Sequence, residues 1–384
     1  MTLYLSYVFT VYGFSNYLIN FTNCKSQIIN QISHIKRCFE LAQRAKGNTA
    51  PNPLVGAVLV CNEQIIGEGW HQHYGSAHAE VNCLASVKEA DKHLICESTM
   101  YVNLEPCAHY GMTPPCANRL VQEKVKKVVI ANTDPFEKVN GNGIQILNAA
   151  GIEVETGVLE KEGLWLNRRF FCFHEQKRPY IILKWAQTKE GYFAPADRGR
   201  FWITNKHSQQ MVHKWRTEEG AILVGTNTAI NDNPHLTARL WTGKQPLRIA
   251  IDRKLKIPTT HNLFNSEAAT WIINEEKELL DGNVHFMKCG FNDTLLKEVL
   301  NQLYNARILS LIVEGGAALL QSFIQQGLWD EARVFTGSNT LVGGILAPTL
   351  DNAMPAFQTQ IDNDMLNVYV NKGSGYPYMP GMEL

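Results

Sequence analysis

No block of like charge interrupts this chain. Lys+Arg and Asp+Glu each number 36 in 384 residues, for a formal net charge of zero. The electrostatic footprint of a nucleic-acid binder is therefore missing, and so is a basic face for anionic lipid. The expected partners are small molecules, with no nucleic acid and no membrane. An uninterrupted apolar run is also lacking. The uncharged, aromatic-rich stretch Met1–Cys24 comes nearest, but Thr2, Ser6, Thr10, Ser15, Asn16, Asn20, Thr22 and Asn23 break it. A spanning helix needs about 20 mainly apolar residues, and no basic region precedes this one, so residues 1–30 read as an extension of unassigned role. Cysteines number only nine, odd in count and irregularly spaced. That excludes a disulfide framework and predicts reduced thiols in the cytoplasm, a few of them recruited for chemistry. Repeats and low-complexity segments are absent. So is a GxGxxG fingerprint after a first strand, which disfavours a standard Rossmann dinucleotide site.

The length exceeds what one hydrophobic core usually organises and predicts two domains, 31–175 and 176–384, joined through a basic and aromatic linker at Arg168–Arg178. Ile35, Cys38, Phe39 and Ala42 recur at helical spacing, ended by Gly47, Pro51 and Pro53. Val55–Cys61 and Gln64–Gly69 predict a hairpin about Asn62-Glu63. A helix from His78, a strand at Met100–Asn103, a helix over Pro115–Lys124 and a strand at Lys127–Ala131 follow. Beyond the linker, strands at Tyr180–Trp185, Ala221–Gly225, Leu247–Asp252 and Ile308–Glu314 alternate with helices, one of them over Lys206–Arg216. Both halves are therefore predicted to be α/β layers. A homo-oligomer is left open.

The sharpest signal is His78-Ala79-Glu80 followed by Pro106-Cys107 and, nine residues on, Cys116. One imidazole and two thiolates are the three protein ligands of a catalytic zinc that keeps its fourth position for water. Glu80, two residues from the histidine, is placed to move protons rather than bind metal. The pattern matches the zinc-deaminase signature, except that eight residues separate the cysteines where two are common. Glu314-Gly315-Gly316-Ala317, a strand entering a helix through two glycines, offers backbone N–H groups to a cofactor phosphate.

Together these strings resemble the bifunctional riboflavin-biosynthesis deaminase/reductase family over about residues 33–350. The likeness rests on Pro51-Asn52-Pro53-Leu54-Val55-Gly56, Gly69-Trp70-His71, Leu104-Glu105-Pro106-Cys107, Asp232-Asn233-Pro234-His235-Leu236-Thr237 and Val313-Glu314-Gly315-Gly316. The resemblance implies an N-terminal cytidine-deaminase-like three-layer α/β/α domain and a C-terminal dihydrofolate-reductase-like α/β domain. It implies zinc and NADPH as cofactors, and a pyrimidine ribotide that is deaminated and then reduced from ribosyl to ribityl. By position, Asn52, His71 and His109 would contact the deaminase substrate, and Arg200, Arg216, Leu236, Arg239 and Glu314 the reductase substrate. Ala186, Trp202, Thr228, Asp232 and the turn Gly316, Ala317, Ala318, Leu319, Leu320, Gln321 and Ser322 would contact NADPH. Arg216 and Arg239 suit a phosphate as bidentate donors. Three positions depart from the family: Met112 replaces a cation, Glu190 an aspartate and Arg200 a small serine. Two other readings compete. One is a nucleoside, nucleotide or tRNA deaminase fused to an unrelated module; the other is a non-catalytic zinc-stabilised binding protein, which would close its metal site and tolerate loss of Glu80.

Overall fold

Asn62 and Glu63 both take positive φ, 48° and 64°, as a two-residue turn between twisted strands requires. Around them β1 (Gly56–Cys61) and β2 (Gln64–Trp70) close the predicted hairpin in a computed structural model that describes residues 29–110, 114–197 and 201–382. The chain divides into two compact units. One runs up to Ala45 and resumes over Leu54–Leu166; the other takes Lys46–Pro53 and everything from Asn167 on.

The first unit contains α1 (29–43), α2 (Ala79–Ser86), a 3-10 helix over Glu89–Glu97, β3 (Thr99–Leu104), α3 (Cys116–Gln122), β4 (Lys127–Asn132), α4 (Asn142–Ala149), β5 (Glu153–Thr156) and α5 (Glu160–Leu166). Its sheet runs β2-β1-β3-β4-β5, antiparallel at the hairpin end and parallel from β3 onward. The central strands are buried almost throughout, which explains why they read as continuous apolar runs rather than alternations. Helix α2 lies directly against β2: a Cβ at Gly69 would stand 2.2 Å from the Cys83 nitrogen and 2.6 Å from the Ala79 carbonyl oxygen. That close approach fixes the N-terminus of α2, with His78 and Glu80, over the sheet.

In the second unit α6 (Arg168–Gln176) leads into β6 (Tyr180–Gln187), β7 (Tyr192–Ala194), α7 (Lys206–Glu218), β8 (Ala221–Gly225), α8 (Thr226–Asp232), β9 (Leu247–Ile251), β10 (Thr270–Asn274), β11 (Leu279–Asp281), β12 (Val284–Lys288), α9 (Leu295–Asn305), β13 (Ser310–Val313), α10 (Ala317–Gln325), β14 (Glu331–Thr336), β15 (Ile345–Leu346), β16 (Ala353–Ile361) and β17 (Asp364–Asn371). Ten of these strands form one sheet in the order β11-β12-β10-β9-β8-β13-β6-β14-β17-β16. The run from β12 to β14 is parallel, and both edges are antiparallel. One apolar cluster around Ile181, Leu311 and Phe323 and another around Ile222, Ile272 and Phe286 bury apolar residues of this unit.

Two expectations are corrected here. The segment Arg168–Arg178 is no open linker: Phe170, Phe171, Cys172 and Phe173 of α6 are buried, Arg168 pairs with Glu331 at 3.1 Å, and Arg169 pairs with Glu219. Basic residues that look solvated in the sequence here neutralise buried carboxylates. Residues 46–53 also pack with the second unit rather than the first, through Lys46–Glu218 at 3.3 Å and a Lys244 Nζ–H bond to the Asn48 carbonyl at 3.0 Å. Among the described residues no helix is long and apolar enough to cross a membrane.

Candidate active sites

The first site grows from three adjacent elements. His78 precedes α2, Cys107 follows β3, and Cys116 opens α3. His78 Nδ1 lies 3.5 Å from Cys107 Sγ and 3.3 Å from Cys116 Sγ, and the three ligand atoms sit within 4.8 Å of one another. The Cys116 backbone N–H donates to Cys107 Sγ at 3.2 Å. Hydrogen bonds from Cys116 and His78 draw the Cys107 thiol well below its ordinary range, while Cys116, which shares the proton, is held above its own. A soft, deprotonation-prone donor set of this composition suits zinc. Among the described residues no fourth His, Cys, Asp or Glu completes the group, the arrangement of an open catalytic site rather than a closed structural one.

Glu80 is buried in the first turn of α2, and burial first, then the Cys107 sulfur, raises its carboxyl to about 7. His71 is buried with its ring edge-on to His78 at 5.3 Å. Its Nδ1 donates to the Ala77 carbonyl at 3.1 Å, leaving Nε2 as the acceptor, and burial lowers its pKa. His109 packs edge-on to Phe136 at 5.5 Å, and its buried Nδ1 has no hydrogen-bond partner among the described residues. Asn52 lies in the 46–53 segment and donates its backbone N–H to Thr49 at 2.8 Å. Met112 falls outside the described residues.

Sequence reasoning overlooked Glu105. Its carboxylate accepts backbone N–H groups from Asp134 (3.2 Å), Gly141 (3.0 Å), Gly143 (2.9 Å) and Ile144 (3.2 Å), clamping the start of α4 against the strand end that carries Cys107. At Gly143 a Cβ would stand 2.1 Å from the Pro106 carbonyl oxygen, so only glycine permits the approach.

The second site is a cavity of about 630 Å³. The carboxyl ends of the parallel strands β6, β8 and β13 contribute Lys184, Ala186, Val224 and Glu314 to its wall, the place where open α/β sheets receive ligands. Of the expected residues, Ala186, Trp202, Arg216, Thr228, Asp232, Leu236, Arg239, Glu314, Gly316, Ala317 and Ala318 line it. Leu236 is buried at positive φ, 56°, and still faces the cavity. Trp202 is 56% exposed and so is not a core residue. Of the expected cofactor turn, the stretch that lines the cavity runs from Gly316 to Ala318. Leu320 is wholly buried in the core beside Leu319, Gln321 accepts the Thr349 N–H at 3.1 Å, and Ser322 bonds back to the Ala318 carbonyl at 3.0 Å. Glu190 is exposed in the Thr188–Gly191 turn, and Arg200 lies outside the described residues.

Arg216 requires a correction. It is no free phosphate ligand: Nε and Nη2 bind Glu314 at 3.2 and 2.7 Å, and Nη1 donates to the Thr237 carbonyl at 3.1 Å. Burial opposes ionisation of Glu314, yet Arg216 and Lys184 hold its carboxyl down at about 2. Lys184, half-buried and unforeseen, has its pKa lowered by burial against the pull of Glu314. Arg239 keeps its guanidinium clear of any ion pair among the described residues and makes one 3.4 Å contact with Thr237 Oγ1.

Residues 29–132 match the family described as the cytidine and deoxycytidylate deaminase zinc-binding region, and residues 179–361 match the RibD C-terminal domain. The chain is 40% identical over 344 residues to riboflavin biosynthesis protein RibD of Aquifex aeolicus, covering 86% of this chain and 95% of that one. Identity to the Bacillus amyloliquefaciens RibD is 39% over 326 residues, covering 83% and 86%. The crystal structure of a diaminohydroxyphosphoribosylaminopyrimidine deaminase/5-amino-6-(5-phosphoribosylamino)uracil reductase from Thermotoga maritima superposes with a TM-score of 0.82 at 32% identity, over 90% of this chain and 99% of that one. A metal-ready deaminase centre and a reductase cleft thus occur in one chain in the expected order, and neither an unrelated C-terminal module nor a merely structural zinc protein accounts for both. The chain belongs to the RibD family of bifunctional deaminase/reductases of riboflavin biosynthesis.

Proposed function

We propose that the first unit hydrolytically deaminates 2,5-diamino-6-(5-phosphoribosylamino)pyrimidin-4(3H)-one, and that the second reduces the resulting 5-amino-6-(5-phosphoribosylamino)uracil to its ribitylamino product with NADPH, in the cytoplasm. The observation that carries the deaminase half is the convergence of His78, Cys107 and Cys116 within 4.8 Å without a fourth ligand among the described residues. These three residues would hold zinc, which supplies the acidity that makes a water nucleophilic near neutral pH. Glu80, buried beside Cys116, takes the proton released by that water and delivers it to the departing amino group, so that one C–N bond is exchanged for C–O and ammonia leaves. The family resemblance assigns pyrimidine contacts in this unit to His71, whose ring lies edge-on to His78, and to His109.

In the second unit the wall from Gly316 to Ala318, with Thr228, Asp232, Trp202 and Ala186, fits NADPH. The positive φ of Gly316, 66°, turns the backbone into the start of α10, where N–H groups suit a phosphate. NADPH supplies the hydride, and the chain orients the two reactants. The Arg216–Glu314 pair fixes the polar floor of the cavity, Lys184 offers a proton to the sugar oxygen released on reduction, and Arg239 receives the substrate phosphate. The test is direct: the purified full-length protein, given the diaminopyrimidine ribotide, should release ammonia without NADPH and form the ribityl product only with it. Arg216→Ala should retain ammonia release and lose reduction. Ammonia release from cytidine or a tRNA stem-loop, with none from the ribotide, would reject this assignment.

A further inference from the structure

His213 faces the reductase cavity from α7, one turn before Arg216, and no motif in the sequence singles it out. Its Nδ1 accepts the backbone N–H of Arg239 at 2.8 Å and that of Leu240 at 3.4 Å. A ring nitrogen that accepts carries no proton, so the imidazole is neutral with its hydrogen on Nε2. The charged groups around it are Arg216 on its own helix, Arg239 on the loop beyond α8, Lys184 on β6 and Glu314 beyond β13. Burial and these three cations hold its pKa down, at about 4, against the one carboxylate. Arg216 is bound by Glu314, whereas no carboxylate binds Arg239 among the described residues. Its side chain is exposed at the cavity wall, and where its guanidinium points depends on how the backbone beneath it is held.

We propose that His213 is a positioning residue of the reductase: a neutral imidazole that accepts the N–H groups of Arg239 and Leu240 and thereby presents the Arg239 guanidinium to the substrate phosphate. The proposal rests on the reading of Arg239 as a phosphate contact. It explains why a histidine serves at this place. The position needs an acceptor without charge, since a carboxylate would pair with Arg216 or Arg239 themselves, and an apolar side chain would leave two N–H groups unmet.

Reductase kinetics of the full-length wild type, His213→Leu, His213→Asn, Arg239→Ala and the double variant His213→Leu/Arg239→Ala, each with the aminouracil ribotide and its dephosphorylated riboside, test it. His213→Leu should raise the ribotide KM about tenfold, the scale of one charge-assisted hydrogen bond, with little change in kcat and none in riboside kcat/KM. His213→Asn, whose amide oxygen can accept where Nδ1 did, should restore most of the KM. The double variant should be no worse than Arg239→Ala alone. Equal losses on ribotide and riboside, or multiplied losses in the double variant, would make His213 a packing residue and overturn the proposal. An inert His213→Leu beside a deleterious Arg239→Ala overturns the proposal alone, whereas an inert Arg239→Ala overturns the phosphate reading and the proposal with it. Should His213→Leu fail to fold, nitrogen NMR of the wild type still decides: the ring must remain the Nε2–H tautomer between about pH 8 and 6, and a doubly protonated ring there sinks the idea.

Discussion

The two sites solve the problem of burying charge in opposite ways. The deaminase centre collects two thiols, an imidazole and a carboxylate that have no cation among them, so it is electrostatically incomplete until a metal arrives. In the reductase cleft the buried carboxylate is compensated as folded, since Glu314 is bound by Arg216 and flanked by Lys184. The difference teaches where function and stability separate. A deaminase ligand can be removed at the expense of metal and turnover, whereas a partner removed from the cleft leaves an uncompensated buried charge.

The largest effect expected from that contrast is on metal. Cys107→Ala should lower bound zinc from one per chain to near zero, as read by elemental analysis, and abolish ammonia release while reduction of the deaminated intermediate continues. Stoichiometric zinc in this variant would remove Cys107 from the ligand set. Next in size, Glu80→Gln should keep its zinc and lose deamination by at least the ~10²-fold typical of a missing acid/base group. A fall in reductase activity in a folded Glu80→Gln protein would contradict the independence of the two sites.

The reductase side of the comparison is sharpened by acid. Glu314 is held at about 2 against an ordinary value of 4.5. A depressed carboxyl contributes stability above its unfolded pKa and loses it as pH falls through the folded one, so the contribution fades from about pH 5 to pH 2. Its size is on the order of 3 kcal/mol for a shift of this extent. Glu219, drawn to about 2 by Arg169 and Arg333 against its burial, adds to the same trend. Glu314→Gln should therefore lower the urea midpoint of the reductase unit at pH 7, and its difference from wild type should shrink towards pH 2. A difference that stays constant with pH would show that the pair contributes packing and not charge.

Legibility in the sequence follows the same division. His78, Glu80, Cys107 and Cys116 could be read because zinc chemistry demands those residue types, and because all four lie close together in the sequence, at the start of α2, just past β3 and at the start of α3. Glu105 could not be read as a clamp, since its partners are backbone N–H groups that carry no sequence signature. Lys184 and His213 are single polar residues inside an apolar strand and an amphipathic helix. Arg216 was legible as a site residue but not in its role, because Glu314 lies 98 positions away. The linker misled for the same reason: Arg169 and Arg168 find their carboxylates 50 and 163 positions on. Along the expected cofactor turn a helix rotates its side chains by about 100° per residue, so that the Leu320 side chain points into the core.

The smallest expected effect bears on the deaminase substrate. The family resemblance implies a cation where this chain has Met112, and a thioether cannot bind a phosphate as a cation does. Lys46 and His71 are residues that could supply such a charge instead, and the structure engages both. Lys46 is tied to Glu218 at 3.3 Å, and His71 is buried with Nδ1 committed to the Ala77 carbonyl and its pKa lowered, so neither offers a free positive charge. One charge-assisted hydrogen bond, worth roughly 1.5 to 3 kcal/mol, is then missing from substrate binding. Met112→Lys should lower the deaminase KM for the ribotide about tenfold, since 1.4 kcal/mol is one decade, while KM for the dephosphorylated riboside and all reductase constants stay as they are. A ribotide KM unchanged in Met112→Lys would take residue 112 out of the site. An equal gain on ribotide and riboside would mean that the lysine acts on the ring or the fold and not on the phosphate.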